Sequence, residues 1–386
     1  MKFGWPQELE FMRNARATQR RCTLRCDGKL CIITGATSGV GEAAAWKFAS
    51  GGAHLVLVCR NMEKAVRLKQ ALMDAYHVQV DVVQADFTDL ESVRSAAAAI
   101  LDAYERIDIL IHNIGTFRKK ISFTAAHIET VFCVNHLSPF LLNSLLLERV
   151  MASAPARILY VNSEGHRFST VHPDDLEWKH HRYSGLKSYG ASKSAQLLTI
   201  TKFAELASSS GVTVNAMHPG AVRSNIGNEN SAWYRWYASH VLNLFLKEPE
   251  ISAEALYHLA LSPELSHTTG QFFNQTIAET PAPHALDRAA GEHVWRTSRL
   301  LARMSAEESP DSLLPRTRAG MGSMSSSAKP KEKSAGWPIH SSATDSYSTR
   351  ESVPLRTPAS CSRCSDSWES TCRSFIAQYP WESHTG

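Results

Sequence analysis

The chain is poor in several features that would place it in well-known classes of protein. Eight cysteines in 386 residues, at positions 22, 26, 31, 59, 133, 361, 364 and 372, are too few for a disulfide scaffold. Cys31, Cys59 and Cys133 sit in apolar runs, where a free thiol acts as a small hydrophobe, and the usage is that of a reducing, cytoplasmic compartment. Neither sign of charge dominates: 41 Lys and Arg against 37 Asp and Glu leave +4, too mild a balance for a nucleic-acid partner. A membrane span needs about 20 mostly apolar residues, and the best runs are interrupted by charge or half that length. Residues 1–28 carry Arg13, Arg16, Arg20, Arg21 and Arg25 without the apolar block of a secretory signal, and Glu8 and Glu10 argue against a mitochondrial leader. They are expected to form a solvated N-terminal arm. Cys361, Cys364 and Cys372 are irregularly spaced with no fitting His, so no metal site is expected.

What the chain does have is alternation. From 29 to 300, short apolar runs alternate with longer amphipathic stretches, the pattern of βαβ units. Strands are expected at Lys29–Thr34, Ala53–Cys59, Val78–Gln84, Ile107–His112, Arg157–Asn162, Val212–His218 and Gln271–Phe273. Helices are expected at Val40–Ala49, Met62–Tyr76, Leu90–Tyr104, Thr124–Val150 (as one helix or two) and Ser188–Ser208, with 179–187 a loop. Such alternation predicts a single α/β domain with a doubly wound parallel sheet, whose ligands bind beyond the carboxyl ends of the strands. Residues 301–386 are rich in Ser, Thr and Pro, show no sustained period and are expected to be disordered.

The loop after the first strand reads Thr34-Gly35-Ala36-Thr37-Ser38-Gly39-Val40-Gly41. Gly35 permits a tight turn, Gly39 a close backbone approach to a pyrophosphate, and Gly41 close packing of helix on strand. The free N–H groups of Ser38, Gly39 and Val40 at the helix start then face the phosphates. Chance placement of this glycine spacing is expected roughly 0.05 times in such a chain. At the end of the second strand, where an acid would bind a ribose 2′-hydroxyl, stands Arg60, whose guanidinium suits a 2′-phosphate. The reading is NADP(H) rather than NAD(H). Asp86 and Asn113 end strands three and four, at the adenosine edge of such a cleft, and Pro219-Gly220 follows strand six near the nicotinamide position.

Tyr189 and Lys193 are four apart, hence on one face of a helix. A neighbouring ammonium lowers a phenol's pKa from about 10, which would let Tyr189 donate a proton near neutral pH. The spacing alone is weak, with roughly 0.4 such pairs expected by chance, and Tyr183 with Lys187 is a rival. Tyr189 is favoured because its helix continues through Leu197 and Leu198. Ser163 ends strand five, where its hydroxyl can bond a substrate oxygen as charge develops. Asn135 sits unfavourably in a helix, which suggests a task.

These pieces together resemble the short-chain dehydrogenase/reductases, a Rossmann-type family, over about 27–300. The retinol-dehydrogenase branch and the dehydrogenase half of the WW-domain oxidoreductases are the most similar, through Leu57–Arg60, Val134–Leu137, Ser153–Arg157, Ser163–Phe168 and Val214–Gly220. The resemblance implies that Tyr189 is the general acid/base and that Lys193 holds the nicotinamide ribose and lowers the Tyr189 pKa. It implies that Ser163 steadies the carbonyl or alkoxide and that Asn135 supports a water-linked proton path to Lys193. Arg60 would contact the 2′-phosphate, and Asp86 and Asn113 would flank the adenosine. A homodimer through the helices carrying Asn135 and Tyr189 is expected by analogy. The family's usual Asn-Asn-Ala-Gly reads His112-Asn113-Ile114-Gly115 here, and the usual Ser before the catalytic Ser is Asn162.

The aromatic segment from Trp233 to Leu246 follows the Pro219-Gly220 loop, where this family places its substrate lid. It would cover a lipophilic carbonyl or alcohol, such as a retinoid or steroid, or dip into a membrane interface. A second reading, an NADP-binding regulatory or scaffold protein with little turnover, draws on His112, Ile114, Asn162 and the long polar tail.

Overall fold

The computed structural model describes residues 14, 17–220 and 249–313. Eight strands form one sheet: β1 (Leu30–Thr34), β2 (His54–Cys59), β3 (Val80–Gln84), β4 (Ile109–His112), β5 (Ala156–Val161), β6 (Val212–His218), β7 (Phe272–Asn274) and β8 (Ile277–Glu279). Their order across the sheet is β3-β2-β1-β4-β5-β6-β7-β8. Pairings up to β6–β7 are parallel and β7–β8 is antiparallel. The doubly wound parallel sheet expected from the alternation is therefore present, with one antiparallel edge strand that the sequence reading missed. Three residues, with Gln275 at φ +56° turning the chain, are too few to show a period.

Among the described residues, seven longer helices flank the sheet: α1 (Gly39–Ser50), α2 (Met62–Tyr76), α3 (Leu90–Ala103), α4 (Thr130–Ala152), α5 (Gly185–Leu206), α6 (Pro249–Leu261) and α7 (Arg288–Leu301). Every residue of β1 is buried, as expected of a strand covered on both faces. Two apolar cores result. One joins α3, α4, α5 and α7 to one face, through Ile32, Leu110, Phe140, Phe203 and Trp295. The other joins α1, α2 and α6 to the opposite face, through Ile33, Phe48, Leu57 and Leu256. Sequential connections run to opposite sides of β1, so the order reverses between β1 and β4. A crevice opens there at the carboxyl ends of the strands.

Helix α4 is long and apolar enough to cross a membrane, which the sequence reading passed over. Its apolar window is 94% buried in the fold, the position of a core helix. It contains a π-helical turn at Cys133–Leu137 followed by Pro139. Proline has no N–H for the carbonyl four residues back, so Asn135 loses its ordinary helical donor at this point.

The packed chain exceeds the expected boundaries at both ends. Cys22 and Cys26 are buried. The Cys26 N–H donates to Gly51 O at 2.9 Å, the Arg20 N–H to Thr276 Oγ1 at 2.9 Å, and the Tyr257 hydroxyl to Leu24 O at 2.6 Å. Residues 17–28 are thus anchored to the fold at Arg20, Cys22, Leu24 and Cys26, while most of their side chains stay exposed as expected of a solvated segment. Beyond α7, Ser309 and Pro310 are buried, and Asp311 accepts from Trp295 Nε1 at 3.2 Å and Arg299 at 2.8 Å. The expected tail therefore cannot begin at 301; residues 314–386 lie outside those described.

Trp295 of α7 stacks edge-on against Phe140 of α4 and Phe203 of α5, at 5.0 and 4.9 Å between ring centres. His136 Nε2 pairs with Ser298 Oγ at 2.8 Å. The two helices expected to pair a homodimer are therefore covered by the chain's own α7 on this face.

Candidate active site

The crevice is a cleft of about 670 Å³ running from the glycine turn to Tyr189 and Lys193. Its first half is shaped by backbone. Gly35 and Gly39 have φ of +66° and +58°, a region that strongly favours glycine. A Cβ on Gly41 would lie 2.4 Å from Asn113 Nδ2 and 2.5 Å from Gly35 O. Helix α1 starts at Gly39 behind an extended Ser38, so its unpaired N–H groups face the cleft. Asn113 lines the cleft, but its side chain is spent holding the turn: Nδ2 donates to Thr34 O at 3.0 Å and Gly35 O at 3.1 Å. Ile114 packs against Gly35, 3.2 Å from where a Cβ would stand. Asp86 also lines the cleft, its Oδ1 accepting from the Thr88 N–H and hydroxyl at 2.9 and 2.8 Å. Arg60 is exposed at the end of β2 and lines the cleft with Asn61 and Lys64. Lys64 was not singled out from sequence. A cradle that would reject side chains, a helix N-terminus and two cations fit a phosphorylated dinucleotide.

The second half is built from side chains. Tyr189 and Ser163 meet over Gly165, where a Cβ would lie 3.1 Å from Tyr189 Cε1 and 3.3 Å from Ser163 Oγ; burial pushes the Tyr189 pKa up and the neighbouring Ser163 hydroxyl opposes the rise. Lys193, 3% exposed, donates from Nζ to Val161 O at 2.8 Å and lies 6.0 Å from the Tyr189 ring centre. Burial pushes its pKa down to about 7. The expected lowering of the phenol by the ammonium is thus not what this geometry gives. Both groups are driven toward neutrality by desolvation, and the group that favours the phenolate is Ser163. The rival pair is dispersed: Tyr183 precedes the first turn of α5 and donates to Arg118 O at 3.0 Å.

Asn135 sits on the π-turn. Its Oδ1 accepts the Thr116 N–H at 2.7 Å, and its Nδ2 donates to Thr116 O and Ser192 Oγ, each at 3.0 Å. A Cβ on Gly115 would lie 3.7 Å from Asn135 Oδ1 and 3.9 Å from Lys193 Nζ, so the two groups share that glycine's floor. His166 was also missed as a site residue. The Ala282 N–H donates to its Nε2 at 3.1 Å, which leaves Nδ1 to donate to Ser163 O at 2.8 Å. Burial pushes its pKa down to about 3, so a neutral ring ties the Ser163 backbone to the segment after β8. Pro219 and Gly220, expected near the nicotinamide, line the same cleft. The lid expected at 233–246 lies outside the described residues.

An open parallel sheet whose crevice joins a phosphate-binding turn to a buried Lys and a half-buried Tyr and Ser has the layout of a dinucleotide-dependent oxidoreductase. The model of the short chain dehydrogenase family matches residues 29–235. Human retinol dehydrogenase 13 is 35% identical over 294 residues, 75% of this chain and 89% of that protein. The WW domain-containing oxidoreductase of Pongo abelii is 33% identical, over 71% of this chain and 68% of its own. A crystal structure of an uncharacterised Mycobacterium Paratuberculosis protein superposes with TM-score 0.59 at 26% identity, covering 74% of this chain and 98% of its own. The RhlG/NADP complex of Pseudomonas aeruginosa, at TM-score 0.53 and 22% identity over 68% of this chain and 98% of its own, shares the fold. The chain belongs to the short-chain dehydrogenase/reductase family and is a retinol-dehydrogenase-like member of it.

Proposed function

We propose that the protein is an NADP(H)-dependent oxidoreductase that interconverts a lipophilic carbonyl and its alcohol, with Tyr189 as general acid/base. The observation that carries this is the juxtaposition of Tyr189 and Ser163 over Gly165, set with Lys193 at one end of a cleft whose other end is the glycine turn. The nicotinamide supplies or accepts the hydride. The chain's own residues handle the oxygen. In the reducing direction Ser163 donates a hydrogen bond to the carbonyl oxygen, and Tyr189 transfers its proton to that oxygen as the carbon is reduced. Lys193, titrating near 7, changes charge within the physiological range and holds the ribose. Asn135 braces the Thr116 loop beside it. Arg60, with Lys64, supports the 2′-phosphate and hence NADP(H). The lipophilic substrate class rests on the retinol dehydrogenases at 35% and 33% identity.

The test is NADPH oxidation with a panel of long-chain and retinoid aldehydes, for the wild type and Tyr189→Phe. Turnover lost in the variant with NADPH binding kept supports the enzyme. NADPH binding with turnover of no carbonyl by the wild type supports the scaffold reading instead.

A further inference from the structure

A buried run of amides joins the two walls of the catalytic half. Gln196 lies three residues after Lys193 on α5 and is 2% exposed; Asn162, at the end of β5, is 2% exposed. Gln196 Nε2 donates to Asn135 O at 3.1 Å, the carbonyl whose helical donor Pro139 removes. Gln196 Oε1 accepts from Asn162 Nδ2 at 2.8 Å. Asn162 Nδ2 also donates to Lys193 O at 3.0 Å, and Asn162 Oδ1 accepts the Ser163 N–H at 2.8 Å. Each amide is fixed in orientation, because turning either one would set oxygen against oxygen and nitrogen against N–H. The chain runs Thr116, Asn135, Gln196, Asn162, Ser163 without a gap.

We propose that Gln196 is a positioning residue of the active site. Through Asn162 it clamps the π-turn that carries Asn135 to the strand end that carries Ser163. Its own atoms do not line the cleft, so it acts through its partners. The geometry has a reason. A π-turn followed by proline leaves a backbone carbonyl inside the fold, and a buried carbonyl demands a donor. Filling that need from α5 makes the placement of Asn135 depend on the helix that bears Tyr189 and Lys193. Using the other end of the same amide for Asn162 brings Ser163 into the same unit. Serine at 162 would be too short to reach Gln196 while also holding the Ser163 N–H and the Lys193 carbonyl. Asn162 and Gln196 are therefore one complementary pair. This role rests on the proposed oxidoreductase reading for its effect on turnover, but the mechanical coupling does not.

The experiment uses the full chain with Gln196→Met, which keeps volume and removes both bonds, together with Asn162→Ala and the double variant. Gln196→Asn, one methylene short and able to satisfy only one partner, serves if the Met variant does not fold. Kinetics at saturating NADPH are measured beside hydrogen exchange of segments 131–138 and 160–166. For each single variant the expected result is a kcat lowered roughly tenfold to hundredfold. NADPH Kd and substrate KM should stay within about threefold, and exchange should rise in both segments together. The double variant should be no worse than the poorer single one, as members of one unit behave. A folded Gln196 variant with kcat within twofold of wild type overturns the proposal, as does strictly additive loss. Should the wild type reduce no carbonyl, the oxidoreductase reading fails and exchange alone decides. A joint rise upholds the clamp, and a rise in one segment or neither refutes it.

Discussion

The two ends of the cleft are made in different ways. The dinucleotide end is almost wholly backbone: left-handed glycines at 35 and 39, a helix N-terminus, and an asparagine spent on holding the turn. The reacting end is made of buried and half-buried side chains from α4, α5 and the end of β5, held by hydrogen bonds to one another and to backbone groups. The first tolerates little added volume. The second tolerates little loss of a polar partner, because a stranded buried amide or hydroxyl costs about 1–3 kcal/mol. Substitutions that exchange these sensitivities test the contrast.

The largest effect is expected at the reacting end. Lys193→Met should abolish turnover and yet stabilise the fold. The ammonium titrates near 7 in the folded chain against 10.5 when free. The Lys193 contribution to stability therefore falls as pH drops from about 10.5 to 7 and is flat below 7. Removing the group should raise unfolding free energy at pH 7 by on the order of a few kcal/mol, measured by urea titration. A destabilised Met variant would mean that the Val161 bond outweighs desolvation.

Next in size is the turn. Gly41→Ala places a methyl against Gly35 O and Asn113. Overpacking of this kind costs about 1–3 kcal/mol, so Tm should fall and NADPH binding should weaken tenfold or more. Gly115→Ala, whose Cβ meets nothing closer than 3.7 Å, should leave Tm within a degree or two.

Acid should separate the walls further. His136 and His166 are pushed down to about 3 and His112 to about 4 by burial. The unfolded chain protonates these rings near 6.5 and the folded one does not, so stability should decline as pH falls from 6.5 toward 4. His166→Gln should flatten part of that slope. An unchanged slope would show that the His166 ring is protonated in the fold.

The smallest effect is at the rim. Arg60→Ala should reduce the preference for NADPH over NADH roughly tenfold, about 1.4 kcal/mol, while NADH binding holds. Unchanged preference would shift the 2′-phosphate contact to Lys64 or remove it.

How much of this was legible in sequence follows the same division. Strands with buried runs, such as Val212–His218, and the amphipathic Met62–Tyr76 were readable to the residue, because period and capping act locally. The glycine turn was readable because glycine spacing is itself the geometry. The paired Tyr189 and Lys193 were readable as a helix face because that helix continues through Leu197 and Leu198, whereas the loop expected at 179–187 ends early, with α5 already begun at Gly185. The roles of Gln196, Asn162 and His166 were not. Each depends on which carbonyl or N–H from a distant element arrives beside it, and neither spacing nor propensity encodes that. The effect of Lys193 on Tyr189 was misjudged for the same reason: burial, not proximity in sequence, sets both groups. The expected arm and tail missed the packing of residues 17–28 and 302–313, where a few side chains such as Cys26 and Asp311 anchor otherwise polar segments.

The central claim is that Tyr189 completes a hydride transfer made within this cleft. The most direct measurement supplies NADPH deuterated at the transferable position of C4, with a lipophilic aldehyde, and counts deuterium in the product alcohol by mass spectrometry. The wild type should yield alcohol carrying one deuterium at the former carbonyl carbon. Tyr189→Phe, still binding NADPH, should yield at least a hundredfold less. Alcohol formed equally by both proteins, or formed without deuterium, would contradict the mechanism.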